Sequence, residues 1–354
     1  MENKPEKVLP VGSVIHGSLC DYEITDYMAQ DGFGILYKAK GVRITAARKA
    51  AKAAEDYFVI REFFMHRCSG RAADGCTVVT PEDVRPTVDN FKEAFAMASD
   101  SCAQVSDGCP YIINVIENVS QNDTRYYVVE YLDGETLEDY IERVGPVSIY
   151  EARELLSPIF SAVKYMHSYH VMHTDIYPRH IRFVTSGGKR VPVLFSLYAS
   201  RHFDDEGAPV WPTAIVVCRT GYAPPEQYQN IDHFFPQADI YALASLIVFV
   251  LSGKHLPDSR TVTEKDIRTT LPATLPETFI GTLLHALHSD YACRPSSVSS
   301  FMEELVEFYD ENSRYVPYDD RKHSLHTSVH ESDSRSIWEM IKGFLTGLLP
   351  GRRE

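Results

Sequence analysis

The chain has 354 residues, enough for a large core and about two domains or lobes at roughly 150 residues each. Apolar residues make up 44%, so most of it is expected to fold. Lys and Arg number 35 against 49 Asp and Glu, a net charge of −14, which is repelled by phosphate backbones and anionic membrane surfaces and argues against a nucleic-acid partner.

The seven cysteines, Cys20, Cys68, Cys76, Cys102, Cys109, Cys218 and Cys293, are odd in number, scattered, and form no C-x-x-C. That pattern favours reduced thiols and a cytoplasmic setting. His66, Cys68 and Cys76 stand close together, but two of their three gaps miss zinc spacing, so a metal site is disfavoured and none is assigned. The first ten residues, MENKPEKVLP, have no apolar signal core. The longest apolar run, ALASLIVFVL from Ala242 to Leu251, is too short to span a bilayer and reads as a buried helix.

In chain order, residues 1–13 form an extension. YEITDYMAQDGFGILYKAKG, Tyr22 to Gly41, reads as two strands around a turn made flexible by Gly32 and Gly34. ITAARKAAKAAED, Ile44 to Asp56, is rich in Ala and Lys and reads as a solvated helical insertion. YFVIREFF, from Tyr57, is a strand. VDNFKEAFAMA is a helix with Phe91, Ala94, Phe95 and Ala98 on one face. PYIINVIENVSQNDTRYYVVEYL gives two strands around a polar turn at Gln121 to Thr124. From about residue 133 the pattern turns helical, with Leu155, Leu156, Ile159, Phe160, Val163 and Met166 at helical spacing and Pro158 predicting a bend. The buried helix at 239–252 follows, then Pro-punctuated helices to about 312. VLFSLYAS, Val193 to Ser200, reads as a short buried strand that ends in Ser196, Leu197 and Tyr198.

Residues 313–336 are polar and read as a flexible linker in which His323, His326 and His330 would share a helix face. Ser336 and Glu339 form an S-x-x-E capping box ahead of an amphipathic tail, 337–354, with Ile337, Ile341, Phe344, Leu345 and Leu348 as its stripe. Docking on protein is favoured over a membrane surface, because only Lys342, Arg352 and Arg353 supply positive charge.

Several motifs arrive in a recognisable order. VMHTDIYPRHI is similar to a catalytic loop that usually reads HRDIKPxNI. TGYAPPEQY resembles the end of an activation segment, with Ala223, Pro225 and Glu226 in an APE-like run. QADIYALASLIVFVLSG resembles the buried helix that opens on an Asp, here Asp239, and CRPSSVSSFMEEL the last helix, whose Arg294 would pair with Glu226. Residues 14–312 thereby resemble a protein kinase domain of the bacterial eukaryotic-like Ser/Thr type. The resemblance implies an α+β, bilobal kinase-like fold, with a β-rich N-lobe over about 14–131 and a helical C-lobe over about 132–312.

That family needs a glycine-rich loop, a strand lysine held by a helix Glu, a catalytic-loop Asp, and an Asn and a DFG Asp that hold magnesium. Aligned on Phe33 and Gly34, the first two loop glycines become Ala29 and Asp31, and Asp31 would set a carboxylate near phosphates. The strand lysine becomes Arg61, which is expected to pair with Glu93. The Ala of VAIK becomes Val59, which would crowd an adenine ring. His173 and Asp175 are kept, the loop lysine becomes Tyr177, and the magnesium-binding Asn becomes His180. Arg182 stands where an apolar residue usually lies beneath the adenine, and Arg219 replaces the threonine that steadies the loop. Ser196 replaces the DFG Asp, Leu197 the Phe and Tyr198 the Gly.

The nucleotide-site positions are thus Gly32, Gly34, Val59, Arg61, Glu93, Glu130, Leu132, His180, Arg182 and Ser196. Asp175 is the retained acid, and His173, Glu226, Asp239 and Arg294 are architectural. With both magnesium ligands replaced, the expectation is a pseudokinase that needs no cofactor and binds a protein partner such as a kinase, a phosphatase or another signalling component. The alternative is an atypical or weak Ser/Thr kinase or transferase that uses Asp175, ATP and Mg2+ in a rearranged site. The cleft is expected to be narrowed by Val59 and to carry Arg182 near its floor.

Overall fold

The computed structural model describes residues 7–44, 57–106, 108–186, 188–208, 210, 215–229 and 235–305. The helical insertion after Ile44, the polar linker with its three histidines and the amphipathic tail lie outside the described residues.

The N-terminal part is built on strands β1 (Val14–His16), β2 (Cys20–Gln30), β3 (Gly34–Ile44) and β4 (Tyr57–Phe63), a small hairpin β5 (Gly70–Arg71) and β6 (Val78–Val79), helix α1 (Arg85–Ser106), then β7 (Val115–Gln121) and β8 (Thr124–Glu130). Six strands form one antiparallel sheet in the order β1-β2-β3-β4-β8-β7. The alternation of side chains along a strand explains its two faces. Phe58 and Ile60 of β4 join Tyr126 and Val128 of β8 in one apolar cluster, while Phe63, Tyr127 and Val129 belong to the cluster that continues into the helical part. Glu62 points into the first cluster and is fully buried, so its charge needs partners. It accepts from Tyr37 at 2.8 Å, Tyr126 at 2.9 Å and the Arg71 guanidinium at 2.5 and 2.7 Å. Arg71 thereby pins the β5–β6 hairpin to the sheet. The polar turn between β7 and β8 is Asn122-Asp123, both left-handed, the backbone that a tight hairpin requires. Helix α1 runs longer than its pattern predicts. Ala94, Phe95, Ala98, Cys102 and Val105 face inward, and Phe95 packs on the Phe63 and Tyr127 rings.

The C-terminal part contains α2 (Leu137–Val144), α3 (Ile149–Ser168), β9 (Val171–Met172), β10 (Ile181–Ser186), β11 (Lys189–Leu194), β12 (Arg201–His202), α4 (Pro225–Gln229), α5 (Gln237–Ser252), α6 (Glu264–Thr270), α7 (Glu277–Ala286) and α8 (Val298–Glu304). Capping boxes at Thr136/Asp139 and Ser148/Glu151 start α2 and α3 by satisfying the free N–H groups of the first turn. Every residue from Ala238 to Leu251 is buried, as the unbroken apolar run of α5 demands. The VLFSLYAS segment differs from its sequence reading. Strand β11 stops at Leu194, Ser196 is left-handed at φ 71°, and Leu197–Ala199 form a 3-10 turn. A non-glycine residue in that region costs about 1–2 kcal/mol, so the surrounding packing fixes this turn.

Candidate functional site

The site lies where the sheet meets the helical part, in a cleft of about 310 Å³. Leu36, Val59, Val129, Leu132 and Phe195 line it among its apolar walls. Val59 and Arg182 both line the cleft, and Arg182 donates to the Leu132 and Gly134 carbonyls.

Gly34 has a steric reason. A Cβ there would meet the Glu62 carbonyl at 2.8 Å and the Arg61 guanidinium at 3.1 Å, so β3 could not lie this close to β4. Gly32 has open space around it. Gly134 is needed where the chain crosses between the two parts: a Cβ there would fall 1.8 Å from the Phe183 carbonyl.

Arg61 does not pair with Glu93, which lies exposed on α1. Its partner is Asp31, at 2.5 Å, across the β2–β3 turn. The family pattern suggested a helix carboxylate, but the acid gained in the loop is the one within reach of the buried guanidinium. Burial opposes the charge on Arg61, and Asp31 outweighs that and holds its pKa up. Burial likewise pushes the Asp31 carboxyl up, yet Arg61 and the Phe33 and Gly34 backbone hold it below the ordinary range. The Arg61 guanidinium also lies over the Tyr198 ring, 3.5 Å from its centroid. Three substituted positions, Asp31, Arg61 and Tyr198, therefore hold one another.

A second group surrounds Asp175, whose side chain is wholly buried. Arg219 Nε donates to one carboxylate oxygen at 3.0 Å and Nη2 to the other at 3.3 Å. His180 Nδ1 lies 2.9 Å from the Asp175 carbonyl and 3.3 Å from its carboxylate. The retained acid is therefore held by the Arg219 guanidinium, with His180 beside it. His173 donates from Nε2 to the Phe195 carbonyl at 3.1 Å, while its Nδ1 accepts from the Asp175 N–H at 3.2 Å. Burial lowers the pKa of both histidines, which keeps His173 in this neutral form.

The architectural residues each make buried polar contacts that tie separate segments together. Asp239 accepts from the backbone N–H groups of His173 and Thr174 and from His167 Nε2, each at 2.8 Å. Arg294 forms a two-pronged pair with Glu226 at 2.6 and 2.9 Å. Glu130 accepts from the Asn114 N–H at 3.1 Å, and the Leu132 carbonyl faces Arg182.

Sequence reasoning noted Asp31, Tyr198 and Arg219 singly and missed that they close two ion-paired groups. The available signal was complementary charge: an acid gained in the loop opposite an Arg for Lys, and an Arg gained opposite the kept Asp. His66, Cys68 and Cys76 do not converge, and no group of three or more His, Cys, Asp or Glu positioned for a metal occurs among the described residues.

The bilobal α+β arrangement and the ordered motifs define a protein kinase domain. The protein kinase domain pattern matches residues 86–324, more than half of the chain, and the chain belongs to that family. It is 30% identical over 147 residues to the serine/threonine-protein kinase PknA of Nostoc sp., covering 40% of this chain and 25% of that one. It is 30% identical over 129 residues to PknB of Mycobacterium tuberculosis, covering 36% and 20%. These matches span a quarter or less of the relatives' length. The PknI kinase domain of Mycobacterium tuberculosis superposes with a TM-score of 0.58 at 16% identity, over 85% of this chain and all of that one, a likeness of fold.

The family implies ATP and Mg2+. The donor set here does not fit that cation. Ser196 offers a neutral hydroxyl and His180 turns Nδ1 back onto Asp175, while Asp175 has both oxygens on Arg219. Hard divalent cations prefer carboxylate oxygens.

Proposed function

We propose that this kinase-family chain is a pseudokinase, a binding, scaffold or allosteric module for a protein partner such as a kinase, a phosphatase or another signalling component. The observation that carries the reading is the Asp175–Arg219 pair. An acid that must accept a substrate proton is already committed to a guanidinium and is shut away from solvent. At the other end Arg61 would have to leave Asp31 to grip a phosphate. A metal clamp contributes several kcal/mol of transition-state stabilisation, and each 1.4 kcal/mol is tenfold in rate, so its loss lowers phosphoryl transfer by orders of magnitude. A cytoplasmic setting belongs to the same proposal: all seven cysteines are free, and no helix of the described residues is long and apolar enough to cross a membrane.

The second reading, an atypical ATP-dependent transferase using Asp175, draws on the open cleft and the retained acid. Thermal-shift titration with ATP, ADP and GTP, with and without Mg2+ or Mn2+, separates the two. A ligand at a hundredfold excess over its Kd stabilises by about 2.7 kcal/mol. The pseudokinase reading expects no metal-dependent shift. Magnesium-dependent phosphotransfer abolished by Asp175→Asn would overturn it.

A further inference from the structure

The cleft has its charges in an order that does not suit a nucleotide triphosphate. At the end bordered by the β2–β3 turn and the Asp175 loop, both arginines are neutralised from within the chain, Arg61 by Asp31 and Arg219 by Asp175. At the opposite end, Arg182 lines the cavity and has no carboxylate within ion-pair distance among the described residues. It donates only from Nη1, to the carbonyls of Gly134 at 2.9 Å and Leu132 at 3.5 Å. A guanidinium has five N–H groups in a planar fork that matches a carboxylate. Nε and Nη2 therefore remain for a ligand. The walls between the two ends are apolar: Leu36, Val59, Val129, Phe195 and Leu197. A volume of about 310 Å³ lies at the lower end of small-molecule sites, which span about 300–1,000 Å³.

We propose that this cleft binds, without a divalent cation, a small flat apolar molecule bearing a single carboxylate, with the carboxylate on Arg182. The proposal rests on the pseudokinase reading, since it takes Arg61 and Arg219 as already occupied. Two other charged groups lie near this end: Asp139, whose carboxyl is lowered in part by the Arg182 charge, and Glu130, which lines the cleft and accepts from the Asn114 N–H. Glu130 weakens an anion's binding there, and its neutralisation strengthens it.

The probe is naphthalene-2-carboxylate, with the uncharged naphthalene-2-carboxamide as its isostere. Both are titrated calorimetrically into the full chain at pH 7.5, with and without MgCl2. The carboxylate is expected to bind about tenfold more tightly than the amide, the worth of a charge-assisted over a neutral hydrogen bond, and magnesium is expected to change neither. Arg182→Leu, which restores the apolar residue usual at this position, removes the preference and keeps amide binding. Glu130→Gln increases the preference. Equal affinities, a preference that survives Arg182→Leu, or no binding of either probe would sink the proposal. Those outcomes leave the pseudokinase reading intact, whereas magnesium-dependent ATP binding to the same protein would remove that reading independently.

Discussion

The Arg61–Asp31 pair makes an asymmetric prediction. The Arg61 side chain is 3% exposed and the Asp31 side chain 37%. Asp31→Asn keeps the turn's hydrogen bond from the Phe33 N–H but leaves a buried guanidinium with no counter-charge. Breaking a buried pair from that side costs about 3 kcal/mol. Arg61→Met removes the buried charge itself, and the half-exposed Asp31 regains water. The loss is then about 1–1.5 kcal/mol, from the stacking on Tyr198 and the screened part of the pair. The double variant is expected close to Arg61→Met alone, so the coupling equals the Asp31→Asn cost, about 3 kcal/mol. Urea unfolding of the full chain measures all four proteins, with unchanged slopes as the check that only stability moved. Asp31 is held below its ordinary 3.8, so its contribution is present above that pH and is lost as pH falls through the lower native value. The gap between wild type and Asp31→Asn is therefore constant from pH 7 to 5 and closes only below about 4. If Arg61→Met proves the costlier change, or the coupling is under about 0.5 kcal/mol, the pairing described here is wrong.

Arg219→Leu leaves Asp175 buried without its cation and is expected to cost about 2–4 kcal/mol, most of it recovered on adding Asp175→Asn; a neutral Arg219→Leu in differential scanning fluorimetry would contradict the ion pair. Arg294→Met is expected to be the most damaging of these changes, about 3–5 kcal/mol, because the Arg294 side chain has no exposure and also donates to the carbonyls of His288, Ser289 and Gln237. Denaturant midpoints that match wild type would refute that. His173 and His180 are held below their ordinary 6.5 by burial, so the unfolded chain takes up more protons as pH drops. Stability is then full above pH 6.5 and falls toward pH 5, by up to about 1.4 kcal/mol per unit for each group, and His180→Asn flattens the slope. Urea midpoints at pH 7.5, 6.5 and 5.5 that do not differ would exclude this linkage.

Much of the fold was legible because periodicity is a local property. The aromatic and β-branched run YFVIREFF gives β4, the apolar run at 242–251 gives α5, and the Glu226–Arg294 pair follows from two motifs in order. The β5–β6 hairpin was not legible, because two residues per strand carry no period and the hairpin is held by long-range contacts such as Arg71 to Glu62 and the Val78 N–H to the Asn122 carbonyl. The turn at Ser196 was read as strand, since nothing in VLFSLYAS announces a left-handed serine. Glu93 looked like the partner of Arg61 because the family pattern puts a helix acid there. Which of two acids lies within reach depends on how closely β3 approaches β4, and that is set by the absence of a side chain at Gly34.

The two ion-paired groups also bear on what the cleft is for. Arg61 belongs to the sheet and Asp31 to its β2–β3 turn, while Tyr198 belongs to the turn that follows β11 in the helical part, so the Arg61–Tyr198 stack ties the two parts directly. Cys102 of α1 adds a second tie, from its Sγ to the Leu197 carbonyl at 3.5 Å. In a phosphotransferase the bound nucleotide and its metal bridge the same two parts. Here the chain's own side chains do so. Changing one position alone releases a charge: Arg219→Thr frees Asp175 in a buried site, and Tyr198→Gly uncovers Arg61. Ser196→Asp would meet a backbone that already suits an acid, because Asp tolerates the left-handed region better than most residues. It would still lack its second partner at His180 and would sit in a cleft whose Arg61 and Arg219 cations are occupied. The Arg61–Tyr198 stack and the Cys102–Leu197 contact couple the substituted positions across the cleft, so the substitutions are best understood as a set.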